Sequence, residues 1–296
     1  MKSWSEIAAE ELGETPEIRE SSLRDLRALI RTQGRPSVNY EDDDEFLIRF
    51  LRTCKFNVDR SFRMVNNYYL NRASHSNKIM PKGKGPRDTE FYAKLQTLTV
   101  LKKKNHDGST VVIFRKGGWE PSDGTAVHAD MLFLGLYLLE WLTRDPEVQV
   151  TGISFVYDCD GFGIRHLPYV DLAVFQFLTS CINNSYPMRV RAIHVMNVPM
   201  PFRFVLNLVT RLLSQKVRER FHVHTDREAL LGHIDPKILP LEYSKKSQCG
   251  TFDNRWMFEK LCERHNWFVE RSFYGLQKSA CDKELDVDVG KNAWFP

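Results

Sequence analysis

Two carboxylates and an imidazole fall close together in YDCDGFGIRH, residues 157–166. Asp158 and Asp160 follow an apolar run at Val150–Tyr157, which places them at the end of a strand, where open α/β sheets keep catalytic groups. With His166 they have the donors and acceptors for acid–base or metal-assisted work. The same residues also make a good strand-to-helix turn, in which the carboxylates accept turn hydrogen bonds and the glycines allow the bend. The turn is the favoured reading. His222 and His224 have the spacing of two metal ligands on a strand, but the sequence offers no obvious third, which favours a structural or surface role. No GxGxxG follows a strand and no GxxxxGK[ST] occurs; GKGP at 83–86 lacks the strand and helix that a phosphate loop requires. No serine or cysteine lies in a nucleophile elbow. The chain reads as a non-enzyme, with no cofactor and no metal.

A different chemistry gathers between Asn183 and Phe221. Met188 and Val190 alternate with Arg189 and Arg191 as in a half-buried strand, after which Ala192–Met196 is apolar apart from His194. A helix follows in which Phe202, Val205, Leu206, Val209, Leu212 and Leu213 fill one face, while Phe204 and Leu208 fall outside it. A helix buried between other elements has this pattern. So does a lid, with one face on a cavity and spare apolar side chains for a membrane. Arg189 and Arg191 precede this helix and Lys216, Arg218 and Arg220 follow it. At about 1 kcal/mol per basic residue near an anionic bilayer, these give a few kcal/mol, enough for a visit and too little for an anchor.

The elements that must position these groups are legible from caps and periodicity. The first 75 residues read as helical. Thr15-Pro16 opens one helix and Gly34 closes it, a second starts within EDDDEF, and a third follows Asp59, together a small antiparallel bundle. Residues 76–88, rich in Gly, Pro and Lys, read as a linker. TLTVL and STVVIFRKG around NHDG predict a hairpin. A helix at about 125–144, a strand at 150–157, a helix at 167–182, a strand at 189–196, the apolar helix at 200–213, a short helix at 214–221, a brief strand at HVHT and a helix from Asp226 follow. Apolar strands separated by helices predict an α/β fold with a mainly parallel sheet. The sequence thus divides into a helical module at 1–75, an α/β domain at 89–250, a C-terminal helix at 251–275 and a loose tail at 276–296.

The totals fit this organisation. The chain of 296 residues, 42% hydrophobic and 27% charged, has ample core, and its net charge of +4 does not point to nucleic acid. Six cysteines without paired short spacing fit reduced thiols in the cytosol. The N-terminus is polar and acidic, and the longest apolar run, Leu132–Leu142, is short for a membrane span and contains Glu140. The expectation is a cytoplasmic protein, peripheral and transient at membranes and monomeric in solution, so that the sequon at Asn183-Asn184-Ser185 carries no glycan.

SYPMRVRAIHVMNVPMPF, LLSQKVRERFHVH and ILPLEY resemble the CRAL-TRIO (Sec14-like) lipid-transfer family, closest to the branch of alpha-tocopherol transfer protein, cellular retinaldehyde-binding protein and the clavesins. DDEFLIRFLRTCKFNVDRSFRMVNNYY resembles that family's N-terminal module, so that the likeness runs over residues 40–245 in order. The resemblance implies a hydrophobic pocket floored by the sheet, a mobile gate helix at about 199–213, a bound hydrophobic small molecule, and basic residues that read phosphoinositide headgroups on an anionic membrane surface. Carried over by position, the pocket wall is Leu132, Gly135, Leu139, Ile153, Tyr157, Leu178, Cys181, Ile182, Tyr186, Met188, Val190, Ile193, Phe202 and Val205. The headgroup residues are Arg63, Arg189, Arg191, Lys216, Arg218 and Arg220. The chain departs from the family in having Ser244 and Lys245 where relatives commonly carry two glycines. The implied function is an intracellular carrier of a tocopherol-, retinoid- or carotenoid-like ligand. The alternative is a phosphoinositide-binding vesicle adaptor or scaffold without cargo.

Overall fold

Local caps fix where the N-terminal helices begin. In the computed structural model, which describes residues 2–74, 81–119, 128–169, 172–225 and 227–276, Ser3 and Glu6 form a capping box for α1 (Trp4–Leu12). Thr15 caps α2 (Pro16–Gln33), with proline at the first turn as the sequence predicts. A two-residue strand, β1 (Val38–Asn39), leads to α3 (Asp44–Thr53), capped by Asp43, and then α4 (Val58–Ser74). Helix α1 was not resolved within the acidic terminus by sequence, because its buried side is only Ala8 and Leu12.

The stretch expected to be a linker is partly ordered. Its residues 76–80 lie outside the described ones, but Pro86–Thr89 form a 3-10 turn before α5 (Glu90–Lys94). Gly83 N donates to Ser272 Oγ at 2.9 Å and Arg87 N to His265 Nδ1 at 3.3 Å, which pins the segment to the C-terminal helices.

The sheet runs in the order β2 (Leu98–Val100), β3 (Thr110–Arg115), β4 (Ile153–Asp158), β5 (Val190–Met196), β6 (Phe221–His224). The β2–β3 hairpin is antiparallel and the remaining pairs are parallel, as the alternating pattern requires. Between β3 and β4 lie α6 (His128–Leu142) and α7 (Pro146–Thr151). Residues 125–127 of the expected long helix are outside the described residues. Val150, expected to start β4, belongs to α7 instead, because Asp145 and Pro146 supply a cap and first turn. In β5 the pairing skips from Val190 to Ala192 opposite Ile153 and Ser154, so Arg191 occupies a bulge. Beyond the bulge β5 is buried on both faces, which is why the alternation is lost after Arg191.

The expected helix at 167–182 is three pieces: a 3-10 turn at Ile164–Tyr169 containing Pro168, α8 (Leu172–Ser180), and a π turn at Cys181–Ser185. After β5 come a 3-10 turn at Met200–Phe202, α9 (Arg203–Leu212) and α10 (Gln215–Arg218), and after β6 comes α11 (Arg227–Leu231). The expected C-terminal helix divides into α12 (Arg255–Glu263) and α13 (His265–Arg271), burying Leu261 and Phe268. Strand β7 (Gly275–Leu276) then pairs antiparallel with β1, so the chain is not loose at Leu276; residues 277–296 lie outside the described ones.

The sheet separates two apolar layers. Val112, Ile153, Phe155, Ile193 and Val195 face α6 and the N-terminal helices, while Val111, Ile113, Val156 and Met196 face Leu230, Ile234, Leu239 and Tyr243. No described helix is long and apolar enough to cross a membrane.

Buried charges join the N-terminal helices to α6. Arg49 Nη1 donates to Glu140 Oε2 at 2.9 Å and to Thr143 Oγ1 at 3.1 Å, and the Tyr68 hydroxyl donates to Glu140 Oε1. Burial alone would raise the Glu140 carboxyl, but Arg49, Arg144 and Arg72 outweigh it and hold the group down at about 2. Arg52 grips Glu14 through two bonds at 2.7 and 2.8 Å and donates to Gln149 at 2.6 Å.

Candidate functional site

Gly135 sits in the middle of α6 over the sheet. A methyl group built there would meet Phe114 Cε1 at 3.7 Å and Leu98 Cδ2 at 3.9 Å, ordinary contact distances. Glycine inside a helix costs about 1 kcal/mol relative to alanine, and no close approach requires it here. Its effect is a notch between helix and sheet, flanked along α6 by buried Leu132 and Leu139. Below lie Ile153, Val190 and Ile193, all buried, and Tyr157, whose ring stacks on Phe114 at 4.9 Å and 10°. Met188 is buried in the same layer, and Leu178 and Ile182 pack against it partly buried.

Cys181 and Tyr186 belong to this layer but stand at its seam with the N-terminal helices. Asn71 Nδ2 approaches Cys181 Sγ at 3.3 Å, and the Tyr186 ring lies 5.6 Å from that of Tyr68. Burial pushes the Cys181 thiol up to about 12. Of the sequence-derived wall residues, Leu132, Leu139, Ile153, Cys181, Tyr186, Met188, Val190 and Ile193 share one buried apolar cluster, with Tyr157, Leu178 and Ile182 packed against it. Phe202 is buried with its ring 4.6 Å from Phe162, and the side chain of Val205 is outside the described set.

Helix α9 covers this region with an unusual surface. Met200, Phe204, Leu208 and Leu212, each four residues apart, are 76%, 77%, 46% and 45% exposed. They form a line of large apolar side chains facing water. Leu212 was expected on the inner face; the helix turns it outward and buries Leu213 instead.

Polar groups latch both ends of α9, and sequence reasoning missed them. At the start, Asn197 adopts a left-handed φ of 56°, and its Nδ2 donates to Asp158 Oδ1 at 2.8 Å. At the end, Asn183 Nδ2 donates to Leu212 O at 3.1 Å and its Oδ1 accepts from Ser214 N at 3.0 Å. Arg218 Nη2 donates to Leu213 O at 3.1 Å, so this cation also closes the helix.

The remaining cations gather at one edge. The Lys216 amine is lowered by burial and then by Arg220, Arg60, Lys55 and Arg189; the Arg220 guanidinium is lowered by burial and then by Arg189 and Arg191. Arg63 is exposed and joins Arg60 and Lys216 in acting on Cys54. Lys55 and Arg60 were not foreseen, because their proximity to Lys216 is tertiary. Arg189 is less free than its position suggested: it donates to Val150 O at 2.7 Å and pairs with Glu11 at 2.6 Å, while Arg191 lies 3.7 Å from Glu11.

The groups that invited acid–base chemistry are otherwise engaged. Asp158 accepts from Asn197, from Asp160 N at 3.0 Å and from the Tyr243 hydroxyl at 2.8 Å. His166 is buried with Nε2 3.2 Å from Trp119 O and Nδ1 3.0 Å from Gly163 N. A polar pocket of about 260 Å³ on the opposite side of the sheet is lined by Arg115, Asp158, Asp160, Arg227 and Glu242 among others. His222 and His224 stack with His194 at 5.3 and 5.1 Å, and His194 Nδ1 lies 2.9 Å from His224 Nε2. Burial, then His224, His233 and His222, pushes His194 down to about 3. Among the described residues no group of three or more His, Cys, Asp or Glu side chains is arranged to hold a metal ion. The turn at Ser244–Lys245 uses no left-handed residue, and Ser244 Oγ accepts from Lys246 N at 3.1 Å.

Residues 96–244 match the CRAL/TRIO domain, and residues 21–67 match the CRAL/TRIO N-terminal domain. The chain belongs to the CRAL/TRIO family. It is 31% identical over 284 residues to the alpha-tocopherol transfer protein-like protein of Homo sapiens, an alignment covering 94% of this chain and 79% of the relative. Clavesin-2 of Rattus norvegicus is 28% identical over 287 residues, covering 95% of this chain and 85% of the relative. Clavesin-1 of Mus musculus is 28% identical over 242 residues, covering 80% of this chain and 67% of the relative. The solved structure titled "Crystal structure of Sfh5" overlaps 89% of this chain and 99% of that chain at 13% identity, with a TM-score of 0.48.

Proposed function

We propose that the protein carries a small hydrophobic ligand, of tocopherol-, retinoid- or carotenoid-like character, beneath α9 and exchanges it at anionic membranes. The observation that carries this reading is the exposed line Met200, Phe204, Leu208 and Leu212 on the helix that also covers the apolar cluster. The family and the alpha-tocopherol transfer protein-like relative support it. A ligand losing about 400 Å² of apolar surface gains on the order of 10 kcal/mol gross, so departure into water is slow. Contact with a bilayer gives the outer face of α9 an apolar environment and lowers the cost of opening there. The cations Lys55, Arg60, Arg63, Lys216 and Arg220 select phosphoinositide-bearing surfaces, with Arg191 at the border and Arg189 committed to structure. The protein acts as a monomer that visits membranes from the cytoplasm.

Native mass spectrometry of protein purified from its own tissue, with organic extraction, tests this. A stoichiometric apolar small molecule is the expected result. A clean ligand-free mass, with no thermal shift from isoprenoids or phospholipids, would overturn it in favour of a vesicle scaffold without cargo. Charge reversal at Arg60 and Lys216 should weaken binding to phosphoinositide vesicles and leave ligand affinity in detergent unchanged.

A further inference from the structure

Lys116 follows β3 directly, at the C-terminal edge of the sheet. Its neighbour Arg115 lies over Phe252 in the layer on the far side, at 4.9 Å. Alternation sends Lys116 the other way, into the layer of the proposed ligand. There its Nζ stands 5.3 Å from the centroid of the Phe114 ring and 5.4 Å from that of Tyr157, above the stacked pair. Phe114 is the ring that borders the Gly135 notch. The amine therefore stands over the same apolar layer that Gly135 adjoins.

Among the described residues Lys116 has no carboxylate at ion-pair distance and its amine makes no hydrogen bond; its neighbours are the two rings and the Cys159 thiol. The Tyr157 hydroxyl beside it is likewise without a hydrogen-bond partner among those residues. Burial lowers the amine to about 8, and burial raises the Tyr157 phenol, which stays a donor at neutral pH. An ammonium and a phenol side by side, neither hydrogen-bonded to a described residue, suit one anion between them. A phosphate monoester brings close to two negative charges to a single cation, and a diester, with one charge, is a bulkier head than a carboxylate. A carboxylate has the matching charge and size.

We infer that Lys116, assisted by the Tyr157 hydroxyl, is a ligand-binding residue that receives the carboxylate of a long-chain apolar acid lodged beneath α9. The assignment rests on the carrier reading and names the head of its ligand. It also fills a gap in the sequence-derived wall, where Leu132, Gly135 and Leu139 offer no hydrogen bond to a ligand's polar end. Lysine at this position reads as a surface residue in FRKGG, and strand alternation carried past Arg115 turns it inward.

The test compares oleic acid with oleyl alcohol, which share a chain and differ in the head. Wild type should bind the acid at least tenfold more tightly near pH 7, and Lys116→Met should remove that preference by weakening the acid alone. Acid binding by wild type should decline as pH rises above about 8, because the lysine then has to be protonated to pair. Melting curves of the variant show that it is folded, and unchanged affinity for the alcohol shows that the chamber is intact. Equal binding of acid and alcohol by wild type overturns the assignment and leaves the carrier standing. Equal loss of both in a folded Lys116→Met variant also overturns it, as a packing role. Binding of neither overturns the assignment together with the carrier reading.

Discussion

Where the N-terminal helices meet α6, charge is buried; along α9, apolar surface is exposed. Each region inverts the usual distribution, and the two inversions do different things. At the seam, Arg49, Glu140, Tyr68 and Arg72 form one hydrogen-bonded network, with only Arg49 Nη2 of the Arg49 guanidinium left without a partner, and this network ties α6 to the helical module. A buried ion pair is a weak source of stability, but losing one member strands the other. On α9 the inversion weakens attachment. Phe204 is largely exposed and Leu208 about half exposed, and polar latches at Asn197 and Asn183 hold the helix in place. The two chemistries suit a rigid frame and, on the proposed reading, a removable cover.

The sharpest way to break the contrast is at the seam. Glu140→Leu leaves Arg49 and Arg72 without their carboxylate and should destabilise the fold by about 3–5 kcal/mol, read by chemical denaturation. Adding Arg49→Met should restore part of that loss; a double variant no better than the single would mean the two side chains are not coupled.

Acid should act on the frame next. The folded state holds His194 neutral down to about 3, whereas an unfolded histidine protonates near 6.5, so stability falls as pH drops through that window. Glu140, held at about 2, contributes stability above its unfolded value near 4.5 that is lost as pH falls further. Each group accounts for about 1.4 kcal/mol per pH unit within its own window. Denaturation midpoints measured from pH 7 to pH 4 should decline monotonically. A flat profile from pH 6.5 to 5 would contradict the buried neutral imidazole.

The cover yields smaller numbers. Asn183→Ala removes both of that side chain's bonds to the end of α9 and should cost about 1 kcal/mol while speeding spontaneous ligand release several-fold. Phe204→Ser with Leu208→Ser should lower folding stability by about 1 kcal/mol at most, because Phe204 is largely exposed and Leu208 about half exposed.

The sequence disclosed one of these regions better than the other. The apolar surplus on α9 was visible as Phe204 and Leu208 falling outside the inner face, because helical periodicity reports it directly. The seam was hidden. Periodicity reads Arg49 and Arg52 as solvent-facing, and only the tertiary positions of Glu140 and Glu14 make their burial possible. The latches were hidden for a related reason: Asn183 acts on Leu212 and Ser214, and Asn197 on Asp158, across separations no local pattern records. The hairpin and the mainly parallel sheet were legible from the NHDG turn and the apolar runs. The start of β4 was misplaced because Val148 and Val150 are apolar in a helix as well as in a strand, and the Asp145-Pro146 start outweighs them.

The central claim, that α9 opens on contact with a bilayer, is tested most directly by how ligand leaves. Protein preloaded with a fluorescent isoprenoid is mixed with increasing concentrations of phosphoinositide-bearing acceptor vesicles, and the release rate is followed. The account predicts a rate that rises in proportion to vesicle concentration, and at least a tenfold slower rise for the Phe204→Ser, Leu208→Ser variant. A rate independent of vesicle concentration, and the same in both proteins, would mean that ligand escapes through water and that α9 is not a membrane-operated gate.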